Sequence, residues 1–352
     1  MSLERASFMQ ACLELAQIPD HGLLPNPRVG AIIVYQSKII AEGFHRGPGT
    51  PHAEIAAIRN AEKKGFRKFS QSDLYVNLEP CCHLNKRTPP CAPQLIEKAF
   101  KNIFIAHLDP HPLVRGNGRD QLRKSGIKVS VGLLNEAAQD LNQAFIKNQT
   151  RSETYITMKL ALSFDGKMAN DSGQSQWITS EASRSFVHQL RNQTTAIGVG
   201  SRTIEIDDPR LSIRLRQKSE KFSKLVIFGR PKDLKSKKVW KVFGPGRIII
   251  WDEKIEKLPR RLYEDHGIYQ LLVEGGPKLA SSLLLKGLAD ELHLFYGRGF
   301  IGGKGRFSLG RDWTLKSLAD SVSFQPQSAG LIGPDLYANG RLNVYRYHPK
   351  NR

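Results

Sequence analysis

Three short motifs in the first hundred residues carry side chains able to bind a soft divalent metal: Pro51-His52-Ala53-Glu54, Glu79-Pro80-Cys81 and Pro89-Pro90-Cys91. Zinc favours imidazole and thiolate, and a catalytic zinc takes three protein ligands and keeps its fourth position for water. His52, Cys81 and Cys91 make such a set. Glu54, two residues beyond His52 at the start of a predicted helix, can reach past the metal. There it can take a proton from water and pass it to a leaving amine. This is the His-x-Glu … Pro-Cys arrangement of nucleobase deaminases. A purely structural zinc would call for a fourth protein ligand and has no use for Glu54. Polynucleotide and cytidine deaminases space their cysteines Cys-x-x-Cys. Here a longer insert carries His83, Lys86 and Arg87, which suits an anionic small substrate such as a ribose phosphate.

The second half has its own dense region. Lys159 to Lys167 reads as a strand running into a turn at Asp165-Gly166. Gly173 to Ser180 reads as a polar loop with one ligand-facing ring, Trp177, and an N-cap at Ser180. Val273-Glu274-Gly275-Gly276-Pro277 leads from a strand into a helix whose free amides suit a phosphate. It is not a GxGxxG loop, so a standard Rossmann domain is not expected. Gly297-Arg298-Gly299 and Gly302-Gly303-Lys304-Gly305-Arg306 form a second glycine-rich basic loop, also suited to an anion.

The elements that must position these residues alternate between strand and helix. Leu3, Ala6, Met9, Leu13 and Ala16 share one helical face, and 31–34 with 38–44 read as a hairpin. Helices over 52–64, 93–100 and 121–124 and strands over 74–78, 103–108 and 127–131 follow. Such alternation implies a sheet with parallel members, covered by helices on both faces. The polar stretch 142–153 reads as a linker. Beyond it, strands are expected over 155–162, 196–199, 225–228, 247–251, 269–273 and 291–296, with helices over 181–190 and 279–286. Short edge strands are expected at 336–337 and 342–345.

A chain of 352 residues suits two domains. Its apolar runs are strand-sized, so no membrane span is expected. Residues 1–10 lack the apolar centre of a secretory signal, which makes the cytoplasm the expected location. Three of the four cysteines cluster at Cys81, Cys82 and Cys91, which suits metal binding or catalysis better than bridges; Cys12 reads as core. The formal net charge of +20 favours an anionic ligand. Much of the excess lies in 214–224 and 230–241, which read as solvated surface.

The motifs around the zinc set resemble a known family, the bifunctional riboflavin-biosynthesis deaminase/reductases, RibD. The resemblance rests on Pro25-Asn26-Pro27-Arg28-Val29-Gly30, on His52-Ala53-Glu54, on Glu79-Pro80-Cys81 and on Arg87-Thr88-Pro89-Pro90-Cys91. Asp109-Pro110 and Gly116-Asn117-Gly118 extend it, and the second-half motifs occur in the family's order. It implies a cytidine-deaminase-like three-layer α/β/α domain over 1–147 and a dihydrofolate-reductase-like α/β domain over 148–352. It implies that Asn26 helps hold the pyrimidine and that His45, His83 and Arg87 contact substrate. NADPH contacts are implied at Ala161, Trp177, Thr203 and Asp207, and at Gly276, Pro277, Lys278, Leu279, Ala280, Ser281 and Ser282. Further substrate contacts are implied at Lys159, Ser175, Arg191, Leu211, Arg214 and Glu274, with Arg191 and Arg214 as a phosphate clamp. Lys159 and Asp207 are the first candidates for a reductase acid or base.

The implied chemistry is zinc-dependent deamination of 2,5-diamino-6-(5-phosphoribosylamino)pyrimidin-4(3H)-one. NADPH then reduces the ribosyl group of 5-amino-6-(5-phosphoribosylamino)uracil to ribityl. The expected partner is this small phosphorylated pyrimidine, in a homo-oligomer (dimer or tetramer) with no membrane or nucleic-acid ligand. Three departures stand out: Asn85-Lys86 where a single Gly is common, His111 where Asn is frequent, and Phe228-Gly229-Arg230 where a strand often ends in Asp-Ser or Asp-Thr. Arg230 is then placed to meet a phosphate. Two other readings remain open. One is a tRNA or DNA base deaminase with a basic appendage, which predicts salt-dependent polynucleotide binding. The other is a non-catalytic zinc protein that binds nucleic acid.

Overall fold

The computed structural model describes residues 3–18, 23–83, 89–213, 224–304, 307–310, 313–314 and 316–346. The chain forms two compact units, Met1–Arg151 together with Tyr345–Arg352, and Ser152–Val344.

The first unit runs α1 (Leu3–Gln17), β1 (Gly30–Tyr35), β2 (Lys38–Phe44), α2 (Ala53–Lys63), β3 (Asp73–Leu78), α3 (Cys91–Lys98), β4 (Asn102–His107), α4 (Asn117–Lys124), β5 (Lys128–Val131), α5 (Asn135–Leu141) and α6 (Gln143–Arg151). Its sheet has the order β2-β1-β3-β4-β5. β1 pairs antiparallel with β2 and β3, and β3, β4 and β5 are parallel. Successive strand residues point to opposite faces. Ile33, Val76 and Ile105 therefore pack with α2 and α3, while Ile32, Tyr75 and Phe104 pack with α1 and α5. With both faces covered, the central strands β1, β3 and β4 are buried along nearly their whole length and read as mainly apolar runs. The result is the expected three-layer α/β/α arrangement. Two glycines set how close the helices come. A Cβ on Gly30 would lie 2.1 Å from the Cys12 carbonyl oxygen, and one on Gly43 would lie 2.3 Å from that of Ala53.

Several expectations need correction here. The stretch 142–153 is mostly helix α6, and the expected boundary at 147/148 falls inside it. Its polar composition hid the helix because Gln143, Lys147 and Asn148 are buried together with Phe145 and Ile146. The segment 342–345 is not a strand, and Tyr345 belongs to the first unit. The Gln143 side-chain amide takes both of its backbone bonds, accepting from Tyr345 N at 2.6 Å and donating to its carbonyl at 2.8 Å. Leu3 is 91% exposed, so the buried face of α1 begins after it.

The second unit runs β6 (Tyr155–Leu162), α7 (Glu181–Asn192), β7 (Ala196–Gly200), α8 (Ser201–Asp207), β8 (Lys224–Phe228), α9 (Lys238–Phe243), β9 (Ile248–Trp251), α10 (Leu258–Glu264), β10 (Gln270–Val273), α11 (Pro277–Leu285), β11 (Glu291–Tyr296), β12 (Gln325–Ile332) and β13 (Asp335–Arg341). The sheet order is β12-β13-β11-β6-β10-β7-β8-β9, parallel from β11 to β9. Ile156, Met158, Leu160 and Leu162 face one core, and Phe295 and Leu272 face another under Val187 and Leu190 of α7. The hairpin of β12 and β13 extends the one short strand expected there. β12 is exposed along nearly its whole length, so it carries no apolar alternation for a sequence reading to detect.

Candidate active sites

His52 is the N-cap of α2, and Cys91 is the first residue of α3. Cys81 lies three residues past the end of β3, in a turn whose carbonyl accepts from the amides of Cys91 and Ala92 at 3.0 and 3.1 Å. The Cys91 amide also donates to Cys81 Sγ at 3.4 Å, which favours a thiolate there. His52 Nδ1 lies 3.5 Å from Cys81 Sγ and 3.3 Å from Cys91 Sγ. All three ligand atoms lie within 4.8 Å of one another. A tetrahedral zinc, with usual bond lengths, places its N and S ligands about 3.6 Å apart. The donor set and its spacing fit zinc.

Glu54, in the first turn of α2, is 3% exposed. Burial raises its carboxyl above the ordinary value, and the neighbouring His52 opposes that rise. The His45 ring stands edge-on to His52 at 5.3 Å. His45 Nδ1 is 3.2 Å from the Pro51 carbonyl, and its Nε2 is 2.7 Å from Asn26 Nδ2. An Nδ1–H tautomer satisfies both contacts: the ring donates to Pro51 and accepts from Asn26. The Asn26 loop is itself anchored by two other asparagines. Asn142 accepts from the Arg28 amide at 2.8 Å, and Asn77 accepts from the Gly30 amide at 2.8 Å.

His83 stacks face to face on His111, with ring centroids 5.3 Å apart and an interplanar angle of 6°. His111 Nδ1 accepts from the Leu113 amide at 3.2 Å. The expected substrate contact His83 thus leans on the residue that departs from the family pattern. Glu79, singled out only as part of a motif, has a structural task that the sequence did not reveal. Its buried carboxylate accepts the amides of Asp109, Gly116 and Arg119 at 3.1, 2.9 and 2.8 Å. It thereby caps α4 and ties that loop to the Cys81 turn. Gly118 completes the contact, since a Cβ there would lie 2.1 Å from the Pro80 carbonyl oxygen. Cys12 is fully buried core, as expected. Arg87 lies outside the described residues.

In the second unit, a cleft of about 990 Å³ opens at the carboxyl ends of the parallel strands, the usual ligand position in such sheets. It is lined by Lys159, Ala161, Ser175, Trp177, Arg191, Thr203, Asp207, Leu211, Glu274, Gly276, Pro277, Lys278, Leu279 and Ser282. Trp177 is 71% exposed, with the Arg184 guanidinium 4.4 Å from its ring centre. Gly276 caps α11 without a side-chain partner. The amides of that helix start can therefore serve an anion. Burial lowers Lys159 below the ordinary lysine value; Glu274 opposes that shift and Arg191 adds to it. Burial also raises the Asp207 carboxyl.

Other expected contacts are met only in part. Ala280 is fully buried in the core, and Ser281 Oγ accepts from the Gly310 amide at 3.3 Å; neither lines the cleft. Residues three and four apart share a helix face, so Lys278, Leu279 and Ser282 meet the cleft while Ala280 and Ser281 face away from it. Leu211 touches the cleft, but its side chain is 6% exposed and packs with Ile197 and Val239. Arg191 is not a free phosphate clamp. Its guanidinium holds Glu274 through two bonds of 2.6 and 2.9 Å and also donates to the Ser212 carbonyl at 3.1 Å. Burial alone would raise Glu274, but Arg191 holds it below the carboxylate range. Arg214 lies outside the described residues.

The glycine-rich basic loop does serve an anion, but the chain's own. Asp165 accepts the amides of Ile301 and Gly302 at 3.0 and 2.8 Å, and Asp171 accepts that of Lys304 at 3.0 Å. Gly305 and Arg306 lie outside the described residues. Gly297 is needed beneath the Trp177 loop, since a Cβ there would meet the Ile178 carbonyl oxygen at 1.9 Å. Arg230 is paired with Asp252 and does not line the cleft. Phe228, Trp251, Glu253 and Ile255 also line it and were missed. They are ordinary strand-end and loop residues, brought there only by the order of the strands.

Residues 3–107 match the model of the cytidine and deoxycytidylate deaminase zinc-binding region, and 154–336 match the RibD C-terminal domain. The riboflavin biosynthesis protein RibD of Aquifex aeolicus is 35% identical over 350 residues, covering 94% of this chain and 96% of that one. Acinetobacter baumannii RibD superposes with a TM-score of 0.86 at 31% identity, covering 96% of this chain and 98% of that one. A Thermotoga maritima diaminohydroxyphosphoribosylaminopyrimidine deaminase/5-amino-6-(5-phosphoribosylamino)uracil reductase superposes at 0.84 with 33% identity, over 96% and 98% of the two chains.

The chain belongs to the RibD family. It is a bifunctional deaminase/reductase of riboflavin biosynthesis, with a zinc-binding deaminase domain and a reductase domain that implies a nucleotide cofactor. It acts on a small-molecule substrate. Membership in the RibD family sets aside both nucleic-acid readings, neither of which accounts for a RibD C-terminal domain over 154–336. Among the described residues, no helix is long and apolar enough to cross a membrane.

Proposed function

We propose that the first unit deaminates 2,5-diamino-6-(5-phosphoribosylamino)pyrimidin-4(3H)-one, and that the second uses NADPH to reduce the ribosyl group of the deaminated uracil to ribityl. The observation that carries this reading is the convergence of His52 Nδ1, Cys81 Sγ and Cys91 Sγ, with Glu54 buried in the first turn of the helix that His52 caps. These three atoms would hold zinc. When bound, zinc makes water a nucleophile at neutral pH, and NADPH supplies hydride.

Glu54 accepts the proton of the attacking water and returns it to the departing amine, a task suited to a carboxyl whose pKa is raised. Asn26 and His45, fixed by their mutual contact, position the pyrimidine beside Glu54, and His83 borders it. Arg87 meets the substrate phosphate. In the second unit, the α11 start, Gly276 to Leu279 with Ser282, receives the cofactor pyrophosphate, while Ala161, Trp177, Thr203 and Asp207 line its path. Lys159, Ser175, Leu211 and Glu274 face the ribosyl substrate, and Arg191 holds Glu274 ionised. Arg214 joins its phosphate site. Lys159, with its lowered pKa, is the proton donor to test first. The reading includes a cytoplasmic homo-oligomer, a dimer or tetramer, which sedimentation equilibrium would test.

Metal analysis combined with a coupled assay decides the matter. Purified protein should carry about one zinc per chain and release ammonia from the diaminopyrimidinone. It should oxidise NADPH only after the deaminated intermediate is present. Protein without zinc that still releases ammonia, or Glu54→Gln with undiminished release, sinks the mechanism.

A further inference from the structure

Ser175 to Thr179 form a wall with open space on both sides. On one side is the cleft with Lys159 and the α11 start. On the other is a separate cavity of about 610 Å³, lined also by Ser163, Arg298, Pro334 and Asp335. Trp177, in the middle of the wall, is left largely exposed. A loop with a cavity behind it has few packed neighbours to fix it, so its place depends on the bonds at its ends.

The bond at its C-terminal end comes from a distant strand. Asp335 opens β13 and is 2% exposed. Its Oδ2 accepts from the Ser180 amide at 2.7 Å and from the Ser183 hydroxyl at 2.6 Å. Ser180 follows the wall directly and is the N-cap of α7, and Ser183 lies in the first turn of that helix. A Cβ on Gly333 would lie 2.8 Å from that of Ala182, so the turn between β12 and β13 rests against the same helix start. Burial alone would raise the Asp335 carboxyl, but the bonds from Ser183 and Ser180 hold it below its ordinary value. An anion at a helix N-terminus is favoured in any case.

The same turn of α7 reaches back to the wall. Arg184 donates to the Thr179 carbonyl at 2.8 Å, and its guanidinium lies 4.4 Å from the centre of the Trp177 ring. The side chain that steadies Trp177 thus stands on the helix start that Asp335 seats. Building on the reading that Trp177 meets the cofactor, we propose that Asp335 is a positioning residue of the reductase. It seats the start of α7 and, through Arg184 and Thr179, holds the Trp177 ring where NADPH binds.

A double-mutant cycle tests this in the full zinc-loaded chain, read as steady-state reduction of supplied deaminated intermediate. Asp335→Asn keeps the shape of the side chain and removes its charge. It should raise the KM for NADPH about tenfold, the weight of a charge-assisted bond. The kcat should stay within about twofold, the pattern of lost binding, not lost chemistry, and ammonia release should not change. Ser183→Ala removes one of the two bonds and should raise the same KM about threefold. It carries the test if Asp335→Asn does not fold. In a Trp177→Ala chain, whose own KM is raised, neither change should add more than about twofold, because residues acting through one ring are not additive. Additive effects in the cycle, or an unchanged KM in both variants, overturn the positioning role. No NADPH oxidation by the unaltered chain, or an unchanged KM in Trp177→Ala, overturns the cofactor reading instead.

Discussion

The metal centre and the second-unit cleft both sit at strand ends, yet they are assembled in opposite ways. The metal centre draws on three short motifs, each fixed at or beside a helix start. His52 caps α2, Glu54 lies in its first turn, and Cys91 opens α3 against the Cys81 carbonyl. The cleft draws single residues from five neighbouring strands and their loops, and its charged groups Arg191 and Glu274 hold each other. Local motifs make a stiff site whose parts are close in sequence. Strand ends make a broad site whose parts meet only through topology.

Four substitutions probe that contrast, starting with the largest expected effect. Glu54→Gln should lower ammonia release by about a thousandfold while zinc content stays near one per chain. NADPH oxidation with supplied deaminated intermediate should continue at the unaltered rate, and its loss would contradict two separately built sites. Glu274→Ala leaves Arg191 mostly buried without its partner. Denaturant titration should show the second unit destabilised by about 3 kcal/mol, with deaminase activity retained. Gly118→Ala drives a methyl into the Pro80 carbonyl. It should cost the first unit about 2 kcal/mol and speed zinc release to a chelator.

The smallest effect concerns pH. Hydrogen bonds from the Ser163 hydroxyl and the Ile301 and Gly302 amides hold the Asp165 carboxyl down at about 2. A carboxyl depressed in the folded state stabilises above its unfolded pKa, and that support fades as pH falls through the folded value. The stability gap between the unaltered chain and Asp165→Asn should therefore stay constant from neutral pH to about 4 and narrow toward 2. A gap that narrows already near neutrality would show that other groups dominate.

The contrast also explains what the sequence disclosed. The clustering of His52, Cys81 and Cys91 and the place of Glu54 beside them were legible because each belongs to a motif with its own chemical logic. The α/β/α layering was legible from apolar strands alternating with helices. Glu79 as a cap for α4 was not, because its three partners lie 30 to 40 residues away in sequence. The inward turn of Ala280 and the pairing of Arg191 with Glu274 depend on packing that no motif records. Asp165 was read as part of a turn, and only the fold shows its carboxylate filling the glycine loop. Helix α6 was missed because buried polar side chains carry the same composition as a linker.

The return of Tyr345 to the first unit has a consequence for how the two activities can be divided. Its backbone bonds to Gln143, the Arg151 guanidinium 4.7 Å from its ring centre, and Arg346 bonded to Asp140 at 2.6 Å all tie it to the end of the deaminase half. The reductase half is thus an insertion within the deaminase half. A cut after Arg151 would leave the deaminase without the last piece of its own wall and the reductase with a tail that has lost its seat. Fission of the chain into two independent enzymes would first require that seat to be rebuilt.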